Sequence, residues 1–201
     1  VGNYTLATDG GPDVTFIDGV VSTQYAGGNG DDAVRCVALS NYKSVIRGFT
    51  LRGGRTSISG TSDGVDYNGG GVYTTTASAS IGANVIDCVI TNNANSSGNA
   101  TGGGVYIYKT GCVSNCLIRC NNGTSQAGVM TYQTPDNVVV TDCEIVNNLA
   151  GNYLFCYGYP PGVACRGLIV RNCFIHSNTN TNEGIFGGEA NKYTQPIVVE
   201  Y

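Results

Sequence analysis

The chain has 201 residues, a formal net charge of −4 and only 12% charged residues, about half the usual share of roughly 25%. Its 10 Lys and Arg residues are scattered and form no cationic stripe, so nucleic acid is not an expected partner. A composition of 30 Gly, 21 Asn and 20 Thr excludes a helical bundle or coiled coil, and no apolar run reaches the ~20 residues of a membrane helix.

Hydrophobic residues make up 41% of the chain, enough to bury a core in one domain spanning residues 1–201. With no recognisable leader, the sequence reads as a mature form or a fragment, and its neutral amide and hydroxyl groups point to a secreted or cell-surface setting. The nine cysteines fit neither zinc-ligand nor redox spacing. Their odd number leaves at least one unpaired within the chain.

The elements recur along the chain. Residues 46–51, with Phe49 and Leu51, are a degenerate first copy of a segment that returns at 85–93, 113–121, 140–148 and 170–178. In the full copies Cys88, Cys116, Cys143 and Cys173 stand 28, 27 and 30 residues apart. Two residues after each comes Ile90, Ile118, Ile145 or Ile175, and five after each comes Asn93, Asn121, Asn148 or Asn178. The longer step of 39 residues from Phe49 to Cys88 requires a loop insertion, placed at 53–70. A second series runs between the first: Val72, Val105, Val129 and Ile185, each after glycine, with Val34 and Leu154 filling the gaps.

Alternation with period two, in segments bounded by Gly and Asn, predicts strands rather than helices. Strands this short must stack on copies of themselves, which predicts an all-β fold, a single-stranded parallel β-helix. About six coils fit between Val14 and Thr194, and at ~4.8 Å per coil the rod is roughly 30 Å tall. Cys and Ile point inward as a structural ladder. The four Asn form a second ladder at a corner, where their amides bond along the rod. Residues 196–201 read as a terminal strand.

The Gly-Gly-Gly-Val runs at 69–72 and 102–105, followed by Ile-x-x-Asn at 90–93, 118–121, 145–148 and 175–178, resemble right-handed parallel β-helix repeats of bacterial surface proteins. They are similar to the repeats of the polymorphic outer-membrane proteins. Residues 13–19 and 33–37 look like opening coils of the wider pectate-lyase-like superfamily. The resemblance covers residues 13 to about 190 and implies a right-handed coil; it does not settle function, because this fold hosts lyases, hydrolases, adhesins and fibres.

No catalytic cluster of the resembled hydrolases or lyases is recognised. His176 is a lone outward histidine. Asp87 and Asp142 precede strands two coils apart, roughly 10 Å, too far to share an ion, and read as turn formers. Asp63, Asp66 and Asn68 are a weak calcium candidate, the one cofactor considered. Cys156 and Cys165 are a candidate disulfide around a Pro-Pro turn. Asn3, Asn95, Asn99 and Asn122 match the N-glycosylation pattern. The 13 tyrosines, among them Tyr106 and Tyr108, are read as packing under loops in preference to a glycan-stacking surface.

Two functions are expected from these residues. The first is a non-enzymatic extracellular structural or surface module, self-associating through exposed helix ends into a filament. The alternative is a carbohydrate-binding or lyase-like adhesin domain, which requires a groove where Asp, Arg and Tyr converge on one face.

Overall fold

The computed structural model describes residues 5–24, 28–39, 43–57, 68–75, 82–95, 102–124, 126–132, 138–150, 153–158, 168–179, 183–185 and 198–200. Among these residues the fold is all-β, without a helix, and the strands are short.

The first sheet stacks seven strands in the order Thr5–Ala7, Val45–Arg47, Ala83–Ile86, Gly111–Ser114, Val138–Thr141, Leu168–Arg171 and Val198–Glu200. The second stacks six: Phe16–Asp18, Thr50–Arg52, Val89–Thr91, Leu117–Arg119, Glu144–Val146 and Phe174–His176. The third stacks six more: Val37–Leu39, Val72–Thr74, Val105–Tyr108, Gln126–Tyr132, Tyr153–Gly158 and Glu183–Ile185. Asn122–Gly123 and Leu149–Ala150 form a small two-stranded sheet between the second and third. The chain visits the three sheets in a fixed order and then returns to the first, one strand further on. Every pairing between these strands is parallel. Stacked parallel sheets of this kind are compatible with a parallel β-helix.

Register explains the repeat. In the second sheet Ile17, Leu51, Ile90, Ile118, Ile145 and Ile175 stand in one column. In the first, Leu6, Ile46, Val85, Val113, Val140 and Val170 do the same. Val72, Val105 and Val129 continue the pattern in the third. Leu6 apart, these columns meet in one hydrophobic core. β-branched residues fill it because their stiff side chains pack well across a pleated surface.

The corners are set by local backbone chemistry. Between the first and second sheets Gly48, Asp87, Asn115, Asp142 and Asn172 all have positive φ. After the second sheet Gly53, Asn92, Cys120, Asn147 and Ser177 do so. Asn, Asp and Gly tolerate this left-handed conformation better than other residues and hold eight of these ten positions, with Cys120 and Ser177 at the other two, so the chain bends twice per repeat.

The third sheet departs from the sequence expectation in two places. Val37, not Val34, pairs with Val72, while Val34 bridges antiparallel to Val20. Phe155, not Leu154, pairs with Val129, beyond a register shift between Gln126 and Val129. Connections of unequal length precede this sheet, so counting residues from one valine to the next does not transmit register. Of the insertion at 53–70, residues 58–67 lie outside the described residues. Ile169, Val170 and Arg171 pair with Val198, Val199 and Glu200.

Candidate functional site

The Asn column is a continuous hydrogen-bonded ladder. Oδ1 of Asn121 accepts from the Asn93 backbone N–H at 3.1 Å and from Asn93 Nδ2 at 3.0 Å. Asn148 Oδ1 accepts from the same two donors of Asn121, both at 3.0 Å, and Asn178 Oδ1 from those of Asn148 at 2.9 and 3.0 Å. Nδ2 of each also donates across to the strand before, to Leu51 O, Ile90 O, Ile118 O and Ile145 O in turn. At the top, Gly54 N–H donates to Asn93 Oδ1 at 2.8 Å. Asn93, Asn121 and Asn148 are at most 1% exposed. Their amides are consumed by the stack and present nothing to a ligand.

The triple glycines serve this ladder. Gly69 and Gly102 have φ of +65° and +69°, but Gly70, Gly71, Gly103 and Gly104 do not fall in that region. A Cβ on Gly71 would meet Gly104 O at 2.5 Å and Asn93 Nδ2 at 2.8 Å. One on Gly104 would lie 2.9 Å from Gly128 O and 3.2 Å from Asn121 Nδ2. Close backbone approach, in addition to turn geometry, therefore fixes glycine there.

The cysteines stack beside the ladder. The N–H groups of Leu117, Glu144 and Phe174 donate to the carbonyls of Cys88, Cys116 and Cys143, which places the four cysteines one above another, each just before a second-sheet strand. Each thiol sits 3.1 Å from the carbonyl two residues before it: Ile86 O, Ser114 O, Thr141 O and Arg171 O. Cys88, Cys116 and Cys143 are buried, Cys173 is half-buried, and all four are free thiols. The thiols of Cys143 and Cys88 on either side, together with burial, hold Cys116 well above the usual thiol range. Elsewhere, burial pushes the Cys36 thiol up to about 11.

Outward-facing corner residues form two further polar groups. Arg47 Nε donates to Asp87 Oδ2 at 2.6 Å, and Asn115 Nδ2 to Asp87 Oδ1 at 2.7 Å. Asn172 Nδ2 donates to Asp142 Oδ1. The Asn115 amide, with Arg47 behind it, lowers the Asp87 pKa, and Asn172 lowers that of Asp142. Asn115 stands between the two carboxylates in the stack, so they do not form one acidic site.

His176, expected to be alone, has partners that register supplies. Glu144 lies on the neighbouring strand, with Oε1 at 3.1 Å from His176 Nε2, and Ser177 Oγ is 3.2 Å from Nδ1. The exposed Phe174 ring tilts against the imidazole at 4.2 Å. Tyr73 and Tyr106 stack at 5.3 Å and are both 5% exposed, so this pair offers no surface for a sugar ring.

The outer face of the second sheet carries an open groove of about 470 Å³ bordered by Asp13, Phe16, Thr50, Arg52, Val89 and Arg119. Arg52 Cζ sits 4.2 Å over the Phe16 ring while its guanidinium bonds Asp18. Arg119 is exposed and makes no ion pair among the described residues.

Other sequence candidates are placed as follows. Asp63 and Asp66 lie outside the described residues; Asn68 is buried and its carbonyl accepts from Arg35 Nη1 at 2.9 Å. Among the described residues, no group of three or more His, Cys, Asp or Glu could hold a metal ion. The Cys156 side chain and Cys165 lie outside the described residues, as do Asn3 and Asn99. Asn122 is exposed, whereas Asn95 is buried and its Oδ1 accepts from Thr124 N at 2.9 Å. Among the described residues no helix is long and apolar enough to cross a membrane. Comparison of the chain with protein-family models, curated proteins and solved structures gives no match.

Proposed function

We propose that the chain is a right-handed, single-stranded parallel β-helix of about six coils, related to the surface-protein repeats its Gly-Gly-Gly-Val and Ile-x-x-Asn motifs resemble. It serves as a non-enzymatic structural or surface module, secreted or displayed on a cell, that associates end to end. Right-handedness is supported by the strong preference of parallel crossovers for that hand, roughly 98% of cases. Low charge and abundant neutral polar groups support an extracellular setting.

The observation that carries the assembly reading is Leu6. It belongs to the inward column of Ile46, yet it is 52% exposed where Ile46 is 0% exposed. Phe16, Val14, Val20 and Val34 are also exposed in this first part of the stack. Among the described residues Thr5–Ala7, Phe16–Asp18 and Val37–Leu39 are edge strands of their sheets, a template for further pairing. Sedimentation velocity and electron microscopy over a concentration series test this. Rods that lengthen with concentration, and fail to do so in Leu6→Lys, are expected; a monomer at every concentration contradicts the reading.

The groove favours a second reading, an acidic-glycan-binding surface. Phe16 supplies an aromatic face, and Arg52 and Arg119 supply cations. Titration with uronate oligosaccharides would then show binding that Arg119→Ala weakens, and no binding would remove this reading without touching the first.

A further inference from the structure

The thiol column has a geometry suited to one kind of ligand. Phe174 N–H donates to Cys143 O at 2.9 Å, which sets Cys143 and Cys173 one repeat apart in adjoining layers. Cys143 Sγ sits 3.1 Å from Thr141 O and 3.7 Å from Val113 O; Cys173 Sγ repeats this at 3.1 Å from Arg171 O and 3.6 Å from Val140 O. The two side chains therefore point the same way from adjoining layers, and their sulfurs are offset by about the 4.8 Å strand spacing. Parallel side chains at that offset suit a disulfide poorly, which needs Cβ atoms roughly 3.5–4.5 Å apart and a dihedral near 90°. A tetrahedral ion is equally unsuited, because a straight column cannot wrap four ligands around one point. Two metal–thiolate bonds of roughly 2.3 Å each, laid end to end, do match the offset.

We propose that Cys143 and Cys173 form a binding site for a soft, two-coordinate d10 cation, held linearly between their sulfurs. Thiolates select soft ions over zinc's harder competitors, and linear coordination selects among the soft ones. The step is an exchange without electron transfer. Two S–H bonds break, two S–M bonds form, and both protons leave to solvent. A divalent ion gives a neutral bis-thiolate, whereas a monovalent ion leaves one negative charge in the column. Burial of charge is costly, so the mercuric ion is favoured over silver(I) or copper(I). The hydrogen bonds surrendered are weak thiol donations to carbonyls that keep their ladder partners. Access is through Cys173, which is half-buried, whereas Cys88 and Cys116 are enclosed.

The test uses the full chain with Cys36, Cys112, Cys120, Cys156 and Cys165 changed to serine, its fold checked by circular dichroism. Mercuric chloride is the probe and zinc sulfate the contrast. The first equivalent of mercury is expected to consume two thiols, release two protons and give an X-ray absorption signature of two sulfur neighbours, with no zinc uptake. Cys173→Ala is expected to remove that two-thiol signature from the first equivalent. A first equivalent that consumes one thiol and keeps its chloride, tetrahedral zinc uptake, or a Cys173→Ala protein that behaves like its parent would each overturn the proposal. Should the serine background not fold, anomalous diffraction from the unaltered chain soaked in mercury decides it. A peak between the Cys143 and Cys173 sulfurs supports the site, and peaks confined to other cysteines contradict it.

Discussion

Ile118 stands in the second-sheet column in the middle of the stack, and Leu6 in the first-sheet column at its first described layer. Both point inward in columns of aliphatic residues, yet Ile118 is fully buried and Leu6 is half exposed. The same holds in the amide ladder, where Asn121 has neighbours on both sides and Asn178 is half-buried at the last described rung. Burial here is decided by height in the stack more than by the residue itself. Each layer covers the one before it, so stability is expected to concentrate in the interior while the outer layers carry the capacity to associate.

The sharpest way to break this contrast is a matched pair of truncations. Ile118→Ala is expected to cost about 4 kcal/mol, through lost burial and the cavity left behind, while Leu6→Ala costs under about 1 kcal/mol. Denaturant unfolding measures both, and equal losses would mean that the first layer is covered as well as the interior. Next comes the ladder. Asn121→Ala orphans two donors on Asn93 and withdraws a donor from the carbonyl of Ile90, an expected loss of about 3 kcal/mol, against about 1 kcal/mol for Asn178→Ala. Gly71→Ala forces a methyl into Gly104 O and is expected to cost about 2 kcal/mol, read as a lower melting temperature.

The smallest effect lies on the outer corner. Asp87 has a lowered folded pKa, so its contribution is in place above the ordinary carboxylate value of about 3.9 and is lost as pH falls through the lower folded value. With side chains 58% and 27% exposed, the Arg47–Asp87 pair is screened by solvent and contributes under about 1 kcal/mol. Asn115→Ala should therefore reduce stability at neutral pH and have less effect once Asp87 is protonated. An equal loss at both pH values would assign Asn115 a role independent of Asp87.

The second sheet and its two corners were legible in the sequence because a fixed run of residues holds each Cys, Ile and Asn at constant offsets. Stacking then follows from period two and from residues that accept left-handed backbone. Less of the third sheet could be read. Val34 and Leu154 yielded their places to Val37 and Phe155 because the connections before that sheet vary in length. The pairing of His176 with Glu144 was hidden for a different reason. These residues sit at different offsets within their repeats, and only parallel register brings the two side chains together. The Phe16 and Arg119 groove depends likewise on which outward columns adjoin. Glycine spacing could have revealed the ladder's crowding, had Gly71 and Gly104 been aligned against Asn93 and Asn121.

The carboxamide protons of the ladder give the most direct test of stacking in register. In an NMR hydrogen-exchange and NOE experiment, the side-chain NH₂ groups of Asn93, Asn121 and Asn148 should exchange slowly, each with a contact to the rung one repeat away, and Asn178 should exchange faster. Rapid exchange at Asn121, or contacts that pair these strands in the antiparallel sense, would contradict the account.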